Sequence, residues 1–517
     1  MKRHSIIIVP VTLFVALIIT GFVFIPLSTE YKKPLPFFAT GEELAKAYCA
    51  TCHLFPEPAL LDKSTWKERV LPNMGWRLGI RKAGDKPYAD MEKDEVQLVK
   101  ALNIFPEKAL LPFADWQKIV AYYIQTAPDK PLPQKSPPIF NSLLNGFHAE
   151  AISFSKIQLP QTSLLKFDST TALLFIGDGQ GELYAMRSNL KLLASWKLES
   201  APVDIDFQKS VSPHILCIGS VKPTQKNTGS FYVLDAATAS EDSLKRLDKL
   251  ARPVACELSD LNNDGEEDVI ICQFGHHTGK LSWFDGGDPK KEHVLKAEPG
   301  ARRVVVHDFN GDGKPDIMAL MAQSREELIL FFNQGRGNFS EKIIYQFPPV
   351  YGVSYFELAD FNGDGHPDIL LTNGDNWDLS PVKKYYHGIR ILMNDGRSNF
   401  KIAQFFPFYG ASKAVVRDFD RDGDLDIAAI AFYDDPNEQA HTFLYLENKG
   451  DLKFSSASTS VAANGKWITM EACDFDRDGD QDIILGSFVY TVGELTKLLT
   501  KGVESFPQIL ILWNDKK

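Results

Sequence analysis

Five times between residues 260 and 482 the chain repeats one nonapeptide pattern, Asp-x-Asp/Asn-x-Asp-Gly-x-x-Asp. The repeats are Asp260, Asn262, Asp264, Asp268; Asp308, Asn310, Asp312, Asp316; Asp360, Asn362, Asp364, Asp368; Asp418, Asp420, Asp422, Asp426; and Asp474, Asp476, Asp478, Asp482. Oxygen ligands at positions one, three, five and nine can wrap a hard cation, while the glycine permits a tight turn. An EF-hand would place Glu at position twelve. Here Ile271, Ala319, Leu371, Ala429 and Leu485 stand there, and strand-like apolar runs such as 303–306 and 317–320 flank the loops. Five matches in register predict about five structural calcium sites on hairpins of an all-β array.

A second periodic element sets the number of units. Aromatic-aliphatic runs recur at 182–186, 230–234, 280–284, 328–332, 389–393, 443–447 and 509–513. That is seven repeats of about 50 residues, the spacing of propeller blades with four short strands each. The first two carry only degenerate acidic loops, around Asp168 and Asp206. The last lacks a fourth strand, which 151–157 should supply to close the ring and cover an open edge. The stretch 145–517 resembles the FG-GAP (VCBS) repeats also found in integrin α-chain propellers. On the face opposite the calcium hairpins, the connections 275–277, 375–378, 384–387, 433–436 and 489–506 form a candidate docking surface for a protein or carbohydrate partner. Cys256 and Cys272 are placed symmetrically about the first acidic loop, as buried thiols or a cross-strand disulfide; Cys217 and Cys473 have no evident partner.

Ahead of the repeats stands Cys49-Ala50-Thr51-Cys52-His53. Two thiols at this spacing can form thioethers to both vinyl groups of a haem, and the adjacent histidine can reach the iron. A zinc site would need further Cys or His ligands nearby, and none lies between residues 54 and 147. Leu44, Tyr48 and Cys52 fall on one helical face, and 115–124 reads as an amphipathic helix with Phe113, Trp116, Val120 and Tyr123 clustered. Residues 38–128 resemble a class I cytochrome c domain, all-α, in which the last helix packs across the first. The resemblance implies one covalent haem c on Cys49 and Cys52, with His53 as axial ligand. Met74, in what reads as an irregular loop, is the first candidate for the sixth ligand and Met91 the alternative, because the segment to Pro128 holds no other methionine and no further histidine.

Residues 1–33 hold Lys2 and Arg3, then an uncharged run over 6–27 that would span roughly 33 Å as a helix, enough to cross a bilayer. It reads as a single-pass anchor or, alternatively, a cleaved signal peptide; the positive start puts the bulk of the chain on the periplasmic side of a bacterial inner membrane, or exports it after cleavage. Residues 129–144 form a Pro-rich linker. A net charge of −11 disfavours nucleic acid as a partner. The expectation is therefore a multi-domain chain: transmembrane helix, all-α cytochrome c domain and all-β seven-bladed propeller. It would transfer single electrons to or from a redox partner protein, and no catalytic residues stand out. The competing readings are a haem-coupled oxidoreductase with its substrate site on the propeller loops, and an adhesion or assembly module with a haem redox sensor.

Overall fold

The computed structural model describes residues 39–135, 143–154, 159–207, 212–234, 244–323, 325–375, 382–431, 442–490, 492–500 and 506–516. The expected membrane segment 6–27, part of the expected closing strand (155–157) and the loops 376–378 and 433–436 lie outside them. Among the described residues no helix is long and apolar enough to cross a membrane.

The N-terminal region is helical. Helix α1 (Gly41–Cys49) starts at a capping box, Thr40 and Glu43 each bonding the other's backbone N–H. Helix α2 (Lys63–Thr65) runs through a wide turn, Trp66–Val70, into α3 (Leu71–Arg77); α4 (Lys93–Ala101) and α5 (Phe113–Thr126) follow. Helix α1 packs against α5, as expected. The crossing is close: a Cβ on Gly41 would lie 2.3 Å from the Lys118 carbonyl oxygen, so only glycine fits.

Three local expectations change. Met74 lies inside α3, not in a loop. Pro72 sits in the first turn of α3, where a missing N–H is tolerated, and the turn before it widens so that Leu71 N–H donates to the Trp66 carbonyl. The buried face of α5 is Trp116, Ile119 and Tyr123, whereas Phe113, its first residue, is 51% exposed. Helix α1 ends at Cys49, which leaves Cys52 in the turn beyond it rather than on its face.

From residue 147 onward the chain forms seven four-stranded antiparallel sheets. The first strands of successive sheets touch one another around a complete circle, including those of the first and last sheets. This is a seven-bladed propeller. The second strands of blades 3 to 7 are buried along their whole length, save Ala322 at the end of that of blade 4, and one apolar cluster fills each gap between neighbouring blades. Residues that are apolar on both faces of a strand can be used only where sheets flank both sides, as blades do here. Closure comes from Phe147–Ile152, which pairs antiparallel with Ile509–Asn514, Phe147 opposite Asn514 and Ile152 opposite Ile509. The closing strand thus begins four residues earlier than the sequence suggests. Its pattern Phe-His-Ala-Glu-Ala-Ile is weak because its residues are exposed or only half-buried.

Cys256 faces Ile271 and Cys272 faces Ala255, so the two thiols point to opposite sides of blade 3. All six cysteines are free, and Cys217, Cys256, Cys272 and Cys473 are buried in the propeller.

Candidate functional site

The acidic loops join the first and second strands of blades 3 to 7, and all five adopt one conformation. Position four is left-handed in each (Asn263, Gly311, Gly363, Arg421, Arg477), and so is the glycine at position six. The position-one carboxylate accepts from the backbone N–H of that glycine, for example Gly265 N to Asp260 Oδ2 at 2.9 Å and Gly479 N to Asp474 Oδ2 at 3.1 Å.

Position nine has a different task. Asp268, Asp316, Asp368, Asp426 and Asp482 open the second strands and are almost wholly buried. One oxygen of each accepts from the N–H at position two: Leu261, Phe309, Phe361, Phe419 or Phe475. The other accepts from the end of the third strand or just beyond it, at Gly286, Asn333, Asn394, Asn448 or Asn514. These aspartates therefore bracket loop to blade, whatever else they hold. These asparagines lie outside the acidic nonapeptides, but Asn-x-Gly at 333–335, 394–396 and 448–450 recurs in step with the blades.

The remaining acidic oxygens suit a cation. Asp418, Asp420 and Asp422, and likewise Asp474, Asp476 and Asp478, bring ligand oxygens within 4.8 Å of one another. Buried Oδ1 atoms of Asp418, Asp474 and Asp480 have no hydrogen-bond partner among the described residues, an arrangement that is costly unless a cation satisfies them. Burial, reinforced by neighbouring carboxylates, pushes Asp420 and Asp480 up to about 6 and Asp482 to about 7. Loops one to three keep the same backbone with Asn262, Asn310 and Asn362 at position three. The clusters are compatible with calcium.

The Cys-x-x-Cys-His segment lies at the end of α1. Burial pushes the Cys49 thiol up to about 11, while Cys52 is exposed. His53 Nδ1 contacts the Leu54 carbonyl at 2.8 Å, which leaves Nε2 for a metal. Burial first, then the guanidinium groups of Arg77 and Arg325, holds its imidazole below the usual range. Two unpaired thiols and an imidazole in this order are compatible with attachment of a haem, with Cys49 and Cys52 as thioether residues and His53 as ligand. Met74 lies one turn before Arg77 on α3, and Met91 precedes α4.

The helical region sits on the face of the propeller opposite the acidic loops. Glu95 of α4 is 7% exposed and accepts from the Thr224 hydroxyl (2.5 Å) and the Gln225 N–H (2.6 Å) of blade 2. Burial opposes its charge, but these donors and the Glu92 N–H hold its carboxyl below the usual range. Arg77 Nη2 donates to His277 Nδ1 of blade 3 at 3.3 Å, and Phe105 meets the His277 ring edge-on. Arg325, in the turn between the second and third strands of blade 4, donates from Nε to the Cys52 carbonyl at 3.1 Å. Gln134 of the linker donates to the His387 carbonyl of blade 5 at 2.7 Å. Part of the expected docking surface is thus covered by the chain itself. His277 packs on Arg77 and Phe105, and His276 lies against His277; burial and neighbouring charge push the two imidazoles down to about 4 and 3, so both are neutral. Glu95, Arg77 and Arg325 had no mark in the sequence, because their partners lie about 130 to 270 residues away.

Part of the ring, within blades 3 to 7, is similar to FG-GAP-like repeats. The FG-GAP-like repeat family matches residues 260–319, 308–371 and 418–485, which together contain all five acidic loops. Integrin alpha-V of Gallus gallus is 26% identical over 211 residues, 36% of this chain and 20% of that protein, so the match spans a fifth of that relative's length. Among solved structures, the Neurospora crassa Pan2 WD40 domain aligns with a TM-score of 0.43 at 11% identity, covering 73% of this chain and 98% of that one. The Dos1 propeller aligns with a TM-score of 0.42 at 9% identity, covering 69% and 78%. The blade count itself rests on the seven sheets.

Proposed function

We propose that this protein is a monohaem c-type cytochrome built onto a calcium-stabilised propeller, and that it passes single electrons to or from a redox partner protein. The reading is carried by one observation: unpaired Cys49 and Cys52 at a helix end, followed by His53 with Nδ1 engaged and Nε2 left over. The α1–α5 crossing at Gly41 supports it. When bound, the haem would supply reversible one-electron chemistry at iron. Cys49 and Cys52 would fix it, His53 would ligate it, and Met74 would supply the sixth ligand, Met91 being the alternative. Asp260, Asp308, Asp360, Asp418, Asp474 and their loop partners would hold five calcium ions. Residues 6–27 would tether the chain to a membrane with its bulk outside the cytoplasm.

Expression of the full chain with haem-attachment machinery tests the proposal. The expected product carries the mass of one haem and shows a reduced c-type spectrum, both lost in Cys49→Ala/Cys52→Ala. A chain without that mass increment rejects the cytochrome reading and leaves the propeller alone. Met74→Ala should alter spectrum and potential; if neither changes, Met74 is not a ligand.

A further inference from the structure

Two guanidinium groups converge on the Cys-x-x-Cys-His segment from different parts of the chain. Arg77 comes from α3, where it lies over the Phe105 ring at 5.7 Å and donates to His277. No carboxylate pairs with it among the described residues. Arg325 comes from blade 4 and reaches the Cys52 carbonyl, one residue before His53. The nearest counter-charge to Arg325 is Glu298, with Nε and Oε2 3.7 Å apart and both side chains about a third exposed. A contact of that length at the surface neutralises little.

We infer that Arg77 and Arg325 raise the reduction potential of the centre held by His53, so that the propeller forms part of the redox site rather than a separate docking module. The inference rests on the cytochrome reading above. The physics is simple: an oxidised iron carries one more positive charge than a reduced one, so a fixed neighbouring cation favours the reduced state. Neither arginine is a catalytic residue; both act through the field at the iron, and Arg325 also positions the Cys52 backbone. Both side chains reach solvent, Arg77 being exposed and Arg325 partly so, and salt should weaken the effect of each.

The test is a spectroelectrochemical titration of the full chain carrying its covalent haem, at low and high ionic strength. Arg325→Gln should move the midpoint to more negative values at low salt, with a smaller shift at high salt. Arg325→Lys, which keeps the charge, should stay near the wild type. Glu298→Gln should shift the midpoint in the opposite direction, a reversal that mere loosening of structure would not produce. Arg77→Gln should give the largest negative shift; should that variant fail to fold, the pair Arg325→Gln and Glu298→Gln still decides. A haem-loaded Arg325→Gln protein with an unchanged midpoint at low salt overturns this inference and leaves the cytochrome reading intact. A wild-type chain that never acquires haem overturns both.

Discussion

Blade 1 and blade 7 make the same hairpin in two ways. In blade 1, Asp168 closes a short turn by itself, accepting from the Thr170 N–H at 2.9 Å and the Thr171 hydroxyl at 2.5 Å. In blade 7, Asp474, Asp476 and Asp478 crowd together, Asp474 keeps a buried unpartnered oxygen, and Arg477 is held left-handed. The first turn is complete without help. The second crowds carboxylates whose mutual repulsion a divalent cation would offset directly. The comparison separates a turn closed by its own hydrogen bonds from loops whose acidic clusters are compatible with a bound ion.

The largest effect should come from chelation. Removing divalent cations at neutral pH should lower the melting temperature by on the order of 10 °C, read by scanning calorimetry and restored by calcium. A transition that ignores both chelator and calcium would erase the contrast between the two hairpins. Next in size is a test within the acidic loop. Asp482→Ala should cost about 3 kcal/mol in urea unfolding with or without calcium, because the buried N–H groups of Phe475 and Asn514 lose their acceptor. Asp474→Ala should weaken the protein chiefly when calcium is present. Equal calcium dependence in both variants would mean that position nine acts only as a ligand.

A buried acid on the opposite face, away from the acidic loops, sharpens the point through pH. Burial pushes Glu326 up to about 7, although the Gly352 and Val353 N–H groups bond its oxygens. Its folded pKa exceeds its unfolded value near 4.3, so the folded state binds the extra proton and stability falls as pH rises from about 4.5 to 7. In calcium-saturated protein, Glu326→Gln should remove up to about 1.4 kcal/mol per pH unit of that slope; an unaltered slope would assign it to other groups. The smallest effect belongs to Asp168→Ala, about 1 kcal/mol and independent of calcium in the same unfolding assay. Any calcium dependence there would make blade 1 resemble blade 7.

The periodic parts of this fold were legible because repetition makes weak local signals add. Seven aromatic-aliphatic runs gave seven third strands, and five acidic nonapeptides gave five loops of one conformation. The closing strand was legible in kind but misplaced, since its exposed residues carry little alternation. Met74 was misread because Pro72 looks like a helix breaker, yet the wide turn at 66–70 absorbs it. The bracket formed by position nine was invisible to a ligand-spacing argument, which counts oxygens without asking which N–H groups already use them. Least legible was the seating of the helical region on blades 2 to 5. It depends on single side chains such as Glu95 and Arg325, which no pattern distinguishes from solvated surface charges.

The antiparallel pairing of 147–152 with 509–514 also bears on biogenesis. As the chain emerges from its N-terminal end, the earlier blades can stack in turn while the circle stays open, and its final seam waits for the last strand. A premature stop before Ile509 would release a broken ring with a bare edge, an aggregation hazard that cellular proteolysis would be expected to remove. The Cys-x-x-Cys-His segment, synthesised several hundred residues earlier, would be accessible to modifying enzymes long before the platform beneath it is complete.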